Sequence, residues 1–325
     1  MTSNRSAIQK RFPTRLATAA ALATAAATAL WVEARARRAM REHPPTGSFI
    51  DIDGVRLHHV ERGDGPPVVL LHGNMVSLAD FEASGLIDRL ATSFRVIAFD
   101  RPGFGHSTRP RDRLWTPAAQ AALLHAAFGR LGVERPLLVG HSMGTLVALT
   151  LALDRPDDVR GLALLGGYHY PSARIDALMT APVALPLVGD AMRYTVTAIS
   201  ARLLIERSVE AMFWPEAVPE TFFPVLSREM MLRPVQLRAN AEDAAFMIPA
   251  AATNQPRYGT LRMPVAIIAG DQDKVVDPHD HSVRLHGDVP HSDLVRLPGV
   301  GHMVHHARRE TVAAAIDRLD ARSRA

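Results

Sequence analysis

The residues Gly140-His141-Ser142-Met143-Gly144 carry the strongest chemical signal in this 325-residue chain. The apolar run Pro136-Leu137-Leu138-Val139 leads into them and an apolar helical pattern follows, so the segment reads as strand, tight turn, helix. A serine on such a turn holds strained backbone geometry with its hydroxyl pushed outward. The flanking glycines keep side chains out of a space where strand and helix nearly touch. The helix that starts there directs unpaired backbone N–H groups toward any oxyanion forming beside the serine. Ser142 is therefore a candidate nucleophile. Because the five-residue pattern also occurs in ordinary loops, the rest of the chain has to supply its partners.

Those partners need a scaffold. Residues 48–62 alternate about Asp53-Gly54 and read as a β-hairpin with a two-residue turn. Short apolar runs then recur at 68–71, 95–99, 137–139, 162–165, 265–269 and 294–297, each with the composition of a strand buried on both faces. Amphipathic helical patterns separate most of them, at 79–91, 117–131, 145–154, 278–287 and 305–321. Such alternation predicts an α/β fold with a mostly parallel sheet wrapped by helices on both faces. Between Leu165 and Val265 the alternation breaks; prolines, methionines (Met192, Met212, Met230, Met231 and Met247 among them) and helical patterns at 191–205 and 234–248 predict a helical insertion.

In an open parallel sheet, ligands bind beyond the carboxyl ends of the strands. The residues found there are His72-Gly73-Asn74-Met75 after the first parallel run and Asp100-Arg101-Pro102-Gly103-Phe104-Gly105-His106-Ser107 after the second. The serine turn follows the third run, Gly270-Asp271-Gln272-Asp273 the fifth, and Gly299-Val300-Gly301-His302 the sixth. A serine, an acid and a histidine thus emerge in that order at one edge of one sheet.

From about Phe49 to the C-terminus these motifs resemble the α/β-hydrolase family, whose serine members place nucleophile, acid and histidine in the same chain order. The resemblance implies Ser142 as nucleophile, Asp273 as acid and His302 as base. It also implies backbone N–H groups of Asn74 and Met143 as the oxyanion hole. It places the acid three residues after the glycine, which favours Asp273 over Asp271; Asp277 precedes a proline and reads as a helix start, and Asp100 follows the wrong strand. The expected chemistry is a serine hydrolase with an acyl-enzyme intermediate, acting on carboxylic esters with an apolar acyl or alcohol part. Haloalkane dehalogenases and epoxide hydrolases of this family use aspartate, and a serine cannot form their alkyl-ester intermediate. A cofactor-free haloperoxidase or perhydrolase, an acyltransferase and a C–C bond hydrolase use the same triad, and a hydrolase-like binding or receptor protein is the non-enzymatic alternative. Phe213, Trp214, Phe222 and Phe223 in the insertion suggest an apolar pocket, or simply pack its helices together. No metal or other cofactor is expected: His279 with His281, and His302 with His305 and His306, read as surface histidines without a completing carboxylate.

Composition narrows the partners. The chain is 47% apolar, carries a formal charge of +4 and has no cysteine, which excludes disulfides and thiolate chemistry. Through Arg41 it holds eight Lys/Arg against the single Glu33, a net of +7 that leaves −3 for the folded body. That mildly acidic body argues against a nucleic-acid partner. Residues 16–32 are uncharged and Ala/Leu/Thr-rich, between Arg5, Lys10, Arg11 and Arg15 on one side and Arg35, Arg37, Arg38 and Arg41 on the other. We read this as membrane association through residues 16–32, with a retained anchor ahead of a signal cleaved near Ala27-Thr28-Ala29; the plain alternative is an exposed alanine helix in a cytoplasmic protein. The expected organisation is a leader or anchor over 1–45, an α/β-hydrolase core over 46–167 and 259–325, and a helical cap over 168–258.

Overall fold

A computed structural model describes residues 5–173 and 175–324. Residues 1–4, Arg174 and Ala325 lie outside the described residues, as do the side chains of residues 5–15, among them Arg5, Lys10, Arg11 and Arg15, and of residues 175 and 176. The first element is a long helix, α1 (Arg5–Glu42), which stops at the breaker sequence beginning His43-Pro44-Pro45.

Eight strands follow: β1 (Ser48–Ile52), β2 (Val55–Arg62), β3 (Pro67–Leu71), β4 (Arg95–Phe99), β5 (Leu137–His141), β6 (Gly161–Leu165), β7 (Val265–Gly270) and β8 (Asp293–Leu297). They form one sheet in the order β1-β2-β4-β3-β5-β6-β7-β8. β2 pairs antiparallel with β1 and β4, and every neighbour from β4 to β8 is parallel. The β1–β2 turn holds Asp53 at φ 48° and Gly54 at φ 78°, the paired left-handed geometry that matches the twist of a two-residue hairpin. Alternate residues of β3 and β5 pack into separate apolar cores on the two faces: Val69 and Leu138 on one, Val68 and Val139 on the other.

The core helices are α2 (Ala79–Ala83), α3 (Leu86–Leu90), α4 (Pro117–Leu131) and α5 (Met143–Asp154). The helix expected over 79–91 is thus two short ones, because Gly85 at φ 71° turns the chain between them. Among the described residues, six α-helices lie between β6 and β7: α6 (Ile175–Ala184), α7 (Val188–Arg193), α8 (Val196–Phe213), α9 (Phe222–Leu226), α10 (Arg228–Met231) and α11 (Pro234–Asn254). After β7 come a wide helical turn at His279–Val283, α12 (Arg284–Asp288), then α13 (Val304–Ala307) and α14 (Arg309–Arg324) beyond β8. The single helix expected over 305–321 breaks at Arg308, whose φ of −140° is not helical.

The glycine argument for the turn holds at atomic detail. A Cβ on Gly144 would lie 2.1 Å from the Leu71 carbonyl oxygen, and one on Gly140 would lie 2.7 Å from the Gly144 backbone. Both obstacles are backbone and cannot swing aside. Gly144→Ala is therefore expected to lose about 1–3 kcal/mol in urea unfolding, by pushing α5 away from β3. An unchanged midpoint would show that helix and strand can separate freely.

Candidate active site

Ser142 sits directly between β5 and α5 with φ 51° and ψ −118°, a strained conformation for a residue other than glycine that costs about 1–3 kcal/mol. Its backbone N–H donates to the Leu165 carbonyl at 2.9 Å, and its own carbonyl accepts from the Thr145 hydroxyl at 2.6 Å, so the turn is clamped from both sides. His302 lies beyond β8, buried, and its Nδ1 meets Asp273 Oδ2 at 2.7 Å. The other Asp273 oxygen accepts backbone N–H groups of Val275 (2.8 Å) and Val276 (2.9 Å), which fixes the carboxylate's direction. The remaining acids are engaged elsewhere. Asp271 pairs with Arg296 at 2.8 Å, Asp277 caps the backbone of His279 and Asp280, and Asp100 holds His58 Nδ1 at 2.7 Å together with the Leu78 and His106 N–H groups.

A cavity of about 270 Å³ brings Ser142, His302 and Asn74 together with Met75, Met212, Ala244 and Val275. Part of its wall comes from the core and part from α6, α8 and α11. Phe213, Trp214, Phe222 and Phe223 are not among its lining residues: Phe213 and Phe222 are buried in an apolar cluster that joins the insertion to Val76 and Met303 of the sheet domain, Lys274 covers Trp214 and Arg228 covers Phe223. The aromatic residues therefore pack the helices, and Met75, Met212, Ala244 and Val275 supply the apolar part of the cavity wall, beside the polar Thr180, Ser208 and Asn240.

Among the described residues, the backbone N–H groups of Asn74 and Met143 donate to no protein acceptor. The loop that carries Asn74 is held by residues that sequence reasoning missed. Met75, at φ 67°, donates its N–H to Asn240 Oδ1 (2.7 Å) and receives Gln236 Nε2 on its carbonyl (2.9 Å), both from α11. Arg101 donates to the carbonyls of His72 (2.9 Å) and Gly73 (3.0 Å) and to Asn74 Oδ1 (3.0 Å). Its buried charge is met by the equally buried Asp243, which Arg109 and Gln120 also bond. A buried arginine tolerated this way is a positioning strut for the loop. His72 Nε2 accepts the Arg101 N–H at 3.0 Å, so its proton resides on Nδ1, which donates to the Gly73 carbonyl at 2.7 Å.

The histidines at the C-terminal end are not on the surface, contrary to expectation. His305 and His306 place their Nε2 atoms 2.8 Å from the two oxygens of Asp80, which is fully buried on α2, and His281 is buried beside Tyr168; only His279 is exposed. Asp80, His305 and His306 offer ligand atoms within 4.8 Å of one another, a set that could hold a metal ion. As they stand, the imidazoles bond the carboxylate directly. His141, which precedes Ser142, packs its ring 4.8 Å from His302 and 4.6 Å from His305 and bonds the His302 carbonyl through Nε2 at 3.2 Å.

Burial keeps much of this histidine population neutral. Burial, reinforced by the Arg101 charge, pulls His72 down to about 4, and burial takes His141 and His169 well below the usual imidazole range and lowers His305. Their folded pKa values lie below the unfolded value of 6.5, so the unfolded chain binds the extra protons. Their contribution is whole above pH 6.5 and declines as pH falls toward the folded values. His72 alone costs about 1.4 kcal/mol per pH unit in that window. Urea midpoints are expected to fall steadily between pH 7 and pH 4.5; a flat profile would contradict the burial of neutral imidazoles.

A strained serine between strand and helix, a His–Asp pair beyond later strands and a sheet parallel from β4 to β8 define a hydrolase architecture. Residues 66–308 match the family described as alpha/beta hydrolase fold, and the chain belongs to that family. Haloalkane dehalogenase 2 of Mycobacterium bovis is 27% identical over 279 residues, spanning 84% of this chain and 94% of its own. A thermophilic esterase from Thermogutta terrifontis shares the fold with a TM-score of 0.68 at 24% identity, over 85% of this chain and 99% of its own. A membrane phospholipase A shares it with a TM-score of 0.64 at 21% identity, over 97% of this chain and 99% of its own.

Proposed function

We propose that this hydrolase is a serine esterase working through an acyl-enzyme. His302 takes the Ser142 proton as the hydroxyl attacks the ester carbonyl, and returns it to the departing alcohol. Asp273 orients the imidazole through Nδ1 and stabilises its charged form. The N–H groups of Met143 and Asn74 receive the oxyanion, and water then releases the acid. The observation that carries the reading is the strained Ser142 sharing one cavity with a His302 already bonded to Asp273. Ester chemistry is also what the names of the Thermogutta esterase and the membrane phospholipase A denote for those proteins. Serine at the turn separates the chain from the alkyl-ester route of dehalogenation. A fluorophosphonate probe tests the proposal: it should label wild type and not Ser142→Ala, and equal labelling of the two would overturn it.

The helices over residues 168–258 act as the cap that sets specificity. Met75, Met212, Ala244 and Val275 favour an apolar acyl or alcohol part. Medium-chain p-nitrophenyl esters are expected to turn over faster than the acetate; a profile peaking at acetate would remove the apolar-pocket assignment.

We also read α1 as a membrane anchor. Within Leu16–Glu42 an 18-residue window reaches a mean hydropathy of 1.4 and is 6% buried. Seventeen residues from Leu16 to Val32 rise about 25 Å, close to the roughly 30 Å of a bilayer's hydrocarbon core.

A further inference from the structure

Nine of the nineteen large hydrophobic side chains exposed among the described residues fall between Leu178 and Leu204. α8 shows the pattern most clearly. Ala198, Ile205, Val209 and Met212 form its buried face, while Val196, Ile199 and Leu203, spaced i, i+3, i+7, stand on the opposite side and are 66%, 49% and 76% exposed. In the connection from α6 to α7, Leu185 and Leu187 and the first residue of α7, Val188, are 54%, 83% and 53% exposed. A helix apolar on both faces, one of them in water, is unusual for a soluble domain and marks a contact surface.

The position of α1 identifies what that surface meets. The segment from Leu16 to Leu30 stands largely free of the body, whereas Val32 and Ala39 are buried against it. The transition falls at Trp31, an aromatic at the end of the apolar run, where membrane–water interfaces concentrate such rings. Trp31 is held there by α8: the Arg202 guanidinium lies 4.7 Å from its ring, and Arg202 and Arg35 share Glu229 at 2.7 Å each. The residue after Arg202 is Leu203. So α8 lies at the level where the anchor leaves the body, and Arg41 and, one turn beyond Leu203, Arg207 supply cations for anionic headgroups, while Arg37 and Arg38 pair with Glu33 and Glu42 on α1 itself.

We propose that the outer face of α8, with the connection from α6 to α7, lies on the lipid bilayer. The proposal rests on the anchor reading of α1 and deepens the esterase reading. α8 carries Ser208 and Met212 to the wall of the Ser142 cavity, so a single helix separates lipid from nucleophile. The substrate class that fits is an ester held in a bilayer, whose acyl part moves from lipid past α8 into the cavity.

The absence of cysteine allows a direct test in the full chain. Leu203→Cys, Ile199→Cys, Leu22→Cys and Asp88→Cys are labelled singly with an environment-sensitive fluorophore. They are then reconstituted into phosphatidylcholine–phosphatidylglycerol vesicles with or without brominated acyl chains. The expected result is blue-shifted emission quenched by brominated lipid at Leu22, Ile199 and Leu203, and a water-like, unquenched label at Asp88 on the core. Quenching at Leu22 with water-like emission at Leu203 and Ile199 would overturn the proposal and leave the anchor standing. No quenching at Leu22 would overturn the anchor and the proposal with it. Blue-shifted but unquenched labels on α8 would mean a protein contact in place of lipid, and would likewise overturn it.

Discussion

Ser142→Ala is expected to lower kcat on p-nitrophenyl esters by on the order of 10⁶-fold while the protein unfolds at an unchanged urea midpoint. The change removes one oxygen atom from a residue whose backbone is held by the Leu165 and Thr145 hydrogen bonds, so little else moves. Asp273→Asn should be milder, on the order of 10⁴-fold, because the Val275 and Val276 N–H bonds still hold the side chain while the imidazole loses its anionic partner at Nδ1. Combining the two should cost no more than Ser142→Ala alone, since both act on one step. Steady-state kinetics of the three variants check this. Residual activity in Ser142→Ala within a hundredfold of wild type would mean that another group carries the attack, and the acyl-enzyme assignment would fall.

How far such a site can be read from sequence depends on how local its causes are. The turn at Ser142 was legible because its requirement is steric: glycine at 140 and 144 answers a backbone collision that any strand–turn–helix of this shape produces. The inner strands were legible because burial on both faces leaves unbroken apolar runs, whereas β8, expected to be buried likewise, is an edge strand with Asp293 and Arg296 exposed. Strand order brought an acid and a histidine to the same sheet edge, and the family resemblance chose Asp273 over Asp271. What stayed hidden is held by long-range polar pairing. Arg101 meets Asp243 across 142 residues and Asn240 holds Met75 across 165, and no periodicity connects such positions. The helix expected over 79–91 hid a break, since one left-handed glycine leaves its amphipathic pattern nearly intact. His305 and His306 misled for a related reason: a polar residue reads as exposed unless its buried partner is known, and that partner lies 225 residues upstream of His305. The adjacent histidines just after His302 were the signal, and Asp80 beside the buried Phe81 was its counterpart.

That triad of Asp80, His305 and His306 yields the second large effect. α13 starts two residues after His302, and both of its histidines end on one carboxylate, so Asp80 ties down the segment that aims the His302 ring. His141 packs between His302 and His305 and extends the tie to the residue before Ser142. Burial alone would raise the Asp80 pKa, but the hydrogen bonds and electrostatic attraction of the two imidazoles more than offset this and hold it well below the usual carboxylate range. Asp80 is thus an anion with no water around it, and its loss strands two buried imidazoles without an acceptor. Asp80→Ala is expected to lose about 3–5 kcal/mol in urea unfolding. In the protein that remains folded, kcat should drop by on the order of 10²-fold, the penalty for displacing a catalytic group by about 1 Å, with KM nearly unchanged because Asp80 does not line the cavity. Asp80→Asn keeps one acceptor oxygen and should recover part of both losses. A folded Asp80→Ala protein with wild-type kcat would show that His302 is aimed by Asp273 alone and that the three buried groups serve stability only.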